Sequence, residues 1–244
     1  LEVKDDMARE VLESKSSQGI PLLFQAAGSG MHTTFPAMAE AAKIAGLSKD
    51  NAKHLLAARS PDGIPALTIA VAEQHLEAVS EMGKALALLE MNEDKAYELL
   101  ESKDAQGVPL LCMAAGSGMH QTFPALAKAA KVAGLSKDAV KDLLKAPNAD
   151  GISALAFAVS QEYVGTFTNF ARALRIAGIR GQEALDMLNA KGPDCIDNAT
   201  ALELAQSTQN AALMNDYSQA VELLMSPPSP SRRARTSAAR PRAT

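Results

Sequence analysis

Tryptophan is absent and aromatic residues make up only 4% of the chain, so a sheet sandwich or barrel has little of its preferred material. Cysteine occurs twice, at positions 112 and 195, too few and too far apart for a disulfide framework or a zinc site. No apolar run approaches the roughly 18–20 residues of a membrane span, and no stretch has the pattern of a signal peptide. These absences predict a soluble chain in a reducing, cytosol-like compartment.

What is present is alanine and leucine. With 244 residues at 47% hydrophobic, one large or two small domains can bury a real core. Ala and Leu suit closely packed helices, and the fold class predicted is all-α. Charge is segregated along the chain. Residues 226–244 carry five Arg (232, 233, 235, 240 and 242) and no acid, which leaves residues 1–225 with 19 basic and 28 acidic side chains, a net of −9.

One sentence is written twice. "QGIPLLFQAAGSGMHTTFPAMAEAAKIAGLSKD" from Gln18 and "QGVPLLCMAAGSGMHQTFPALAKAAKVAGLSKD" from Gln106 lie 88 residues apart, and from residue 18 onward 30 of 42 aligned positions are identical. Between and after them, "DGIPALTIAVAEQHLEAV" and "DGISALAFAVSQEYVGTF" continue the beat, so that Gly19, Gly63, Gly107 and Gly151 recur every 44 residues. A looser fifth copy starts at Asp197. Such self-similarity is the signature of a solenoid, in which each unit hides its apolar face only against its neighbours. The units predicted are 17–60, 61–104, 105–148, 149–194 and 195–225. Residues 1–16 read as the last helix of a preceding unit, because "REVLESK" echoes "AYELLESK", and 226–244 read as a tail.

Three helices are predicted per unit. The first runs from Ile20 to Gly28, closed by Gly28 and Gly30. The second runs from Thr34 to Ala45, with Pro36 in its first turn, an apolar stripe of Phe35, Met38, Ala41, Ala42 and Ala45, and Gly46 as its stop. The third starts at Ser48 as N-cap and carries Leu55 and Leu56; its equivalents hold Leu99 with Leu100, Leu143 with Leu144, Leu185 with Leu188, and Leu223 with Leu224.

In this register "DGIPALTIAVAEQHLEAV" resembles the ankyrin repeat, with Asp62, Gly63, Leu67, Ala70, His75, Glu77 and Val79 on the family's pattern. Gly30 and Gly118 fall on its inter-helix glycine, and Ala26–Ala27 and Ala114–Ala115 on its alanine pair. The T-P-L-H segment of the family is replaced by P-L-L-F, P-A-L-T, P-L-L-C, S-A-L-A and T-A-L-E, and the period is 44 rather than about 33. The resemblance implies an α-solenoid of helix–turn–helix units with an extra helix in place of the hairpin loop. A HEAT-type solenoid, with units of about 40–47 residues, is the alternative fold.

Catalytic or ligand chemistry finds no purchase. His32 and His120 occupy the same position two units apart, which at helix spacings of 8–10 Å separates them by roughly 16–20 Å, too far to share a metal. "AAGSGM" follows a helix and lacks a Lys after its glycines, so it reads as a tight turn and not as a phosphate loop. Cys112 reads as a small buried hydrophobe. No nucleophile–base arrangement, paired-carboxylate motif or cofactor fingerprint emerges; no enzyme, cofactor or metal is expected. The tail contains Pro227, Pro230 and Arg232 in a P-x-x-P-x-R arrangement and two Ser-Pro steps, but a solvated linker is the simpler reading. Nucleic-acid binding is disfavoured by the acidic body and the lack of stacking aromatics.

The resemblance implies a protein-interaction module, a scaffold or recognition domain within a larger polypeptide. An acidic groove would favour a basic protein partner. The residues nominated for contact are Gln25, Ser29, Met31 and His32, their counterparts Met113, Ser117, Met119 and His120, and in the alternate units Thr68, Glu73, Gln161 and Glu162. The other reading is the partner-recognition arm of a bacterial secreted effector whose catalytic domain lies outside this chain, which would place it in a host cytoplasm.

Overall fold

The computed structural model describes residues 7, 9–190 and 199–227. Gly19, Gly63, Gly107 and Gly151 take φ of 76°, 82°, 79° and 76°, the left-handed region that a Cβ disfavours. Each closes a turn by donating its N–H to the carbonyl three residues earlier, on Ser16, Ser60, Asp104 and Asn148. The side-chain oxygen of that same residue accepts the N–H four residues on: Ser16 from Ile20 (3.3 Å), Ser60 from Ile64 (3.2 Å), Asp104 from Val108 (2.9 Å) and Asn148 from Ile152 (2.9 Å). Short hydroxyl, carboxylate and amide side chains favour such local bonds over helix. Isolated bridges Lys15–Pro21, Arg59–Pro65 and Pro147–Ser153 flank three of these turns.

Two expectations are corrected here. Ile20 and Pro21 are not helical, since their backbone is committed to the turn; helix α1 spans Leu22–Gly28 with extended Pro21 as its N-cap. The extra helix does not take the place of the hairpin-like turn either. It comes before it, and the turn is kept.

After α1, the first unit continues with α2 (Thr34–Ala45) and α3 (Lys49–Leu56). The second contains α4 (Ala66–Ala72), α5 (Glu77–Leu88) and α6 (Glu93–Glu101), and the third α7 (Leu110–Gly116), α8 (Thr122–Val132) and α9 (Lys137–Lys145). The fourth contains α10 (Ala154–Ser160), α11 (Thr166–Ile176) and α12 (Gly181–Leu188); α13 (Ala201–Ser207) and α14 (Ala211–Met225) follow. The bounds of α2 and its stop at Gly46 match the sequence reading. So does the N-cap of α3, where Ser48 Oγ accepts from the Asn51 N–H; Asn92 and Ser136 cap α6 and α9 in the same way. Leu223 and Leu224 belong to α14, which packs on α11 and is therefore a second-type helix, not the third-type helix expected. In α12 the buried pair is Met187 with Leu188, while Leu185 is half-buried. Part of the segment read as a preceding third helix is helical, over residues 9–12.

Equivalent helices lie on equivalent helices. α1, α4, α7, α10 and α13 contact one another in succession, as do α2, α5, α8, α11 and α14, while α3 packs on α6 and α6 on α9. Among the described residues there is no strand, and the fold is all-α. The core runs between these rows, with Phe35, Phe123, Phe167 and Phe170 fully buried and alanines such as Ala39, Ala42, Ala85 and Ala129 at the contacts. In α2 the fully buried residues are Phe35, Ala39 and Ala42, whereas Met38, Ala41 and Ala45 of the expected stripe are half-buried. At α5 and α8 the approach is closer still: a Cβ on Gly83 would lie 2.6 Å from both the Cα and the carbonyl oxygen of Ala129. Backbone cannot move aside as a side chain can. Gly83→Ala, although it improves helix propensity, should destabilise the fold by about 1–3 kcal/mol in urea unfolding.

Candidate interaction surface

The turn joining the first and second helices of each unit has a left-handed residue at one equivalent position, Gly30, Gln74, Gly118, Glu162 and Gln209, with φ of 76°, 65°, 73°, 59° and 55°; in the fourth unit Gly165, at 94°, is a second. The alternation of glycine with longer residues has a steric cause in the next unit. The imidazole of His75 lies over Gly30, 2.9 Å from where a Cβ would be, and the Tyr163 ring lies over Gly118 at 3.1 Å. Tyr163 also donates its hydroxyl to the Gly116 carbonyl (3.3 Å). In the same register, Met119 and Asn210 follow Gln74 and Glu162 one unit on; Asn210 Nδ2 donates to the Glu162 carboxylate at 2.9 Å.

The nominated contact residues fall mainly on this edge. Ser29, Glu73, Ser117 and Gln161 are the exposed C-cap residues of α1, α4, α7 and α10, and so form one column along the stacked first helices. Met31 is exposed and Met119 half-buried in the following turn, with His32 and His120 half-buried beside them. The His32 Nδ1 sits 3.0 Å from the Gly30 carbonyl oxygen. Gln25 is exposed and Met113 half-buried on α1 and α7. Thr68 is a correction: it is 7% exposed and its hydroxyl donates to the Ser102 carbonyl (3.4 Å), so it faces the third-helix layer and not a partner. Pro227 is exposed, and Pro230 and Arg232 lie outside the described residues. His75 and Tyr163 were not nominated. Their signal was the 44-residue register, which places each ring one unit beyond a turn glycine.

The charge on this side is mainly negative, with Arg59 at its border donating to the Gly63 carbonyl at 2.8 Å. The first helices with the turns on either side of them, residues 16–33, 60–76, 104–121 and 146–165, contain no Lys or Arg and hold Asp62, Glu73, Asp104, Asp150 and Glu162. These stretches cover the inter-unit turns, the first helices and the turns that lead into the second helices. Many of the cations sit instead on the third helices and are paired there. Lys95 meets Asp50 at 2.6 Å, Lys53 meets Glu98 at 2.5 Å, and Lys137 and Lys141 both reach Glu183. Glu93 accepts the N–H (2.9 Å) and hydroxyl of Ser136 across the unit boundary. Hydrogen bonds from Lys95, from Ser136, and from Lys137 with Lys141 hold Asp50, Glu93 and Glu183 below their ordinary carboxylate values; bonds to Asp138 and Glu183 push Lys141 up to about 12.

Burial pushes the Cys112 thiol up to about 12, and its Sγ lies 3.4 Å from the Ala146 carbonyl oxygen, so at neutral pH it is a protonated core group and not a nucleophile. No cluster of His, Cys, Asp and Glu suited to a metal ion occurs among the described residues, and no helix among them is long and apolar enough to cross a membrane. A cleft of about 410 Å³ beside α3 includes Lys53, His54 and Glu98, of which Lys53 and Glu98 are the ion pair already named. No protein-family model matches the chain, and no curated protein matches it either.

Two predictions follow from this geometry. Gln74→Gly should stabilise the protein by about 1 kcal/mol, because left-handed strain is relieved, whereas Gly118→Ala should destabilise it by at least as much, because strain is added and Tyr163 is displaced; urea unfolding measures both. The lowered pKa values of Asp50, Glu93 and Glu183 mean that their stabilisation is complete above the unfolded values of 3.8 and 4.5 and is lost as pH falls through the folded ones. The melting temperature should therefore drop below pH 4.5, and the drop should shrink in high salt because these pairs are exposed.

Proposed function

We propose that the chain is an ankyrin-like α-solenoid that works as a non-catalytic scaffold or recognition module, binding another protein across its first-helix and turn face. One observation carries the reading: four successive stretches that build this face hold five acids and no Lys or Arg. Helices of one type lying on helices of the same type support it, because stacked units present equivalent positions as an extended surface. So does the exposed column Ser29, Glu73, Ser117 and Gln161, which offers hydrogen-bonding groups at regular intervals. The partner fitted to such a face is a protein with a basic surface, and association with it is fast and salt-sensitive.

The test is charge reversal on the face. Immobilised wild-type protein should retain basic proteins that elute with moderate salt, and the Glu73→Lys/Glu162→Lys variant, with an unchanged melting curve, should lose them. Retention of the same set of proteins by both would rule this face out.

A further inference from the structure

The second helices carry a different surface. Lys84, Lys128 and Arg172 recur at the same 44-residue interval and line one shallow groove of about 700 Å³ across α5, α8 and α11. No residue of a first or third helix lines it. α8 (TFPALAKAAKV) and α11 (TFTNFARALRI) contain no acid. Their other cations are already committed, since Lys131 donates to the Ile176 carbonyl (3.3 Å) and Arg175 to the Leu223 carbonyl (2.7 Å). Lys84 is held by Glu81 at 2.6 Å at the α5 end, where Glu77 also lines the groove. Lys128 and Arg172 are exposed; Arg172 gives one N–H to Asn169 (3.2 Å), and Lys128 has no ion-pair partner among the described residues. Between them the floor is apolar, formed by Pro124, Ala125, Val132 (44% exposed) and Ile176.

We propose that this groove is a second docking surface, of opposite sign to the first-helix face, and that its occupant is an amphipathic acidic helix of a partner protein lying across α8 and α11. Charge complementarity gives the partner its sign, and the apolar floor gives it a hydrophobic stripe. The repeat gives it a spacing. Adjacent packed helices are about 8–10 Å apart, and residues seven apart on a helix are separated by about 10.5 Å, so carboxylates at i and i+7 meet Lys128 and Arg172 together. Nucleic acid fits less well, because the groove has no aromatic ring for a base to stack on and nucleic acid has no apolar stripe for the floor.

The test uses the whole 244-residue chain and a fluorescent synthetic helical peptide of about 20 residues, with Glu at i and i+7 and Leu on the same face. Fluorescence anisotropy at low salt should show saturable binding, weakened about tenfold or more by Lys128→Glu/Arg172→Glu, and weakened in the same direction by Lys128→Ala/Arg172→Ala. Glu73→Lys/Glu162→Lys should leave it unchanged, which separates this surface from the acidic one. The proposal is overturned by an absence of saturable binding. It is equally overturned by equal binding of a peptide of the same composition with its Glu residues out of register, by insensitivity to both groove variants while their melting curves match wild type, or by tighter binding of a single-stranded RNA oligomer at the same groove.

Discussion

Where α5 meets α8, the chain has no room for even one methyl group between Gly83 and the backbone of Ala129. That close approach of like helices is the constraint on which the rest depends. It explains why alanine dominates the contacts, since larger residues would force the rows apart. It also explains the shortage of aromatics. Phe123 and Phe170 meet edge to face at 5.4 Å, and Phe167 and Tyr217 at 5.3 Å, at a few places where the rows leave space for rings. Two further rings, His75 and Tyr163, are placed over turns that have given up their Cβ.

Much of this was legible in the sequence, because a repeat averages out the noise of any one unit. The second and third helices were readable from a stop glycine at 46 and a capping serine at 48, both local signals. The start of the first helix was not, because Ser16 and its equivalents hold Ile20 and its equivalents in a turn through side-chain oxygens. An apolar run beginning with Ile-Pro looks helical until that competing bond is counted. Thr68 was misjudged for a different reason: its partner, Ser102, lies 34 residues away, and no helical period reports a contact between the first helix and the end of the third. The exposed helix ends at Ser29, Glu73, Ser117 and Gln161 were legible from the repeat register, while the rings at 75 and 163 needed the spatial offset of one unit to be noticed.

The charge pattern follows from the same architecture. Third helices are short, polar on their outer side and close to their neighbours, and they hold lysines against carboxylates of the adjacent unit. First helices hold none. Within second helices the sign depends on the unit, with Glu40 in α2 and Lys84, Lys128 and Arg172 at the same position further on. A single scaffold thus displays surfaces of different polarity without any change in backbone, which is the practical advantage of building by stacking.

The ring-over-glycine arrangement sets the arithmetic by which such a chain can grow. Because His75 and Tyr163 each need a bare turn beneath them, the interchangeable module is a pair of units, 88 residues long, and not the single 44-residue block. Excision of residues 105–148 alone would bring Tyr163 down onto Gln74, a residue with a side chain where the ring requires none. Gain or loss in even numbers would keep both of these rings above a glycine, whereas loss of a single unit would not.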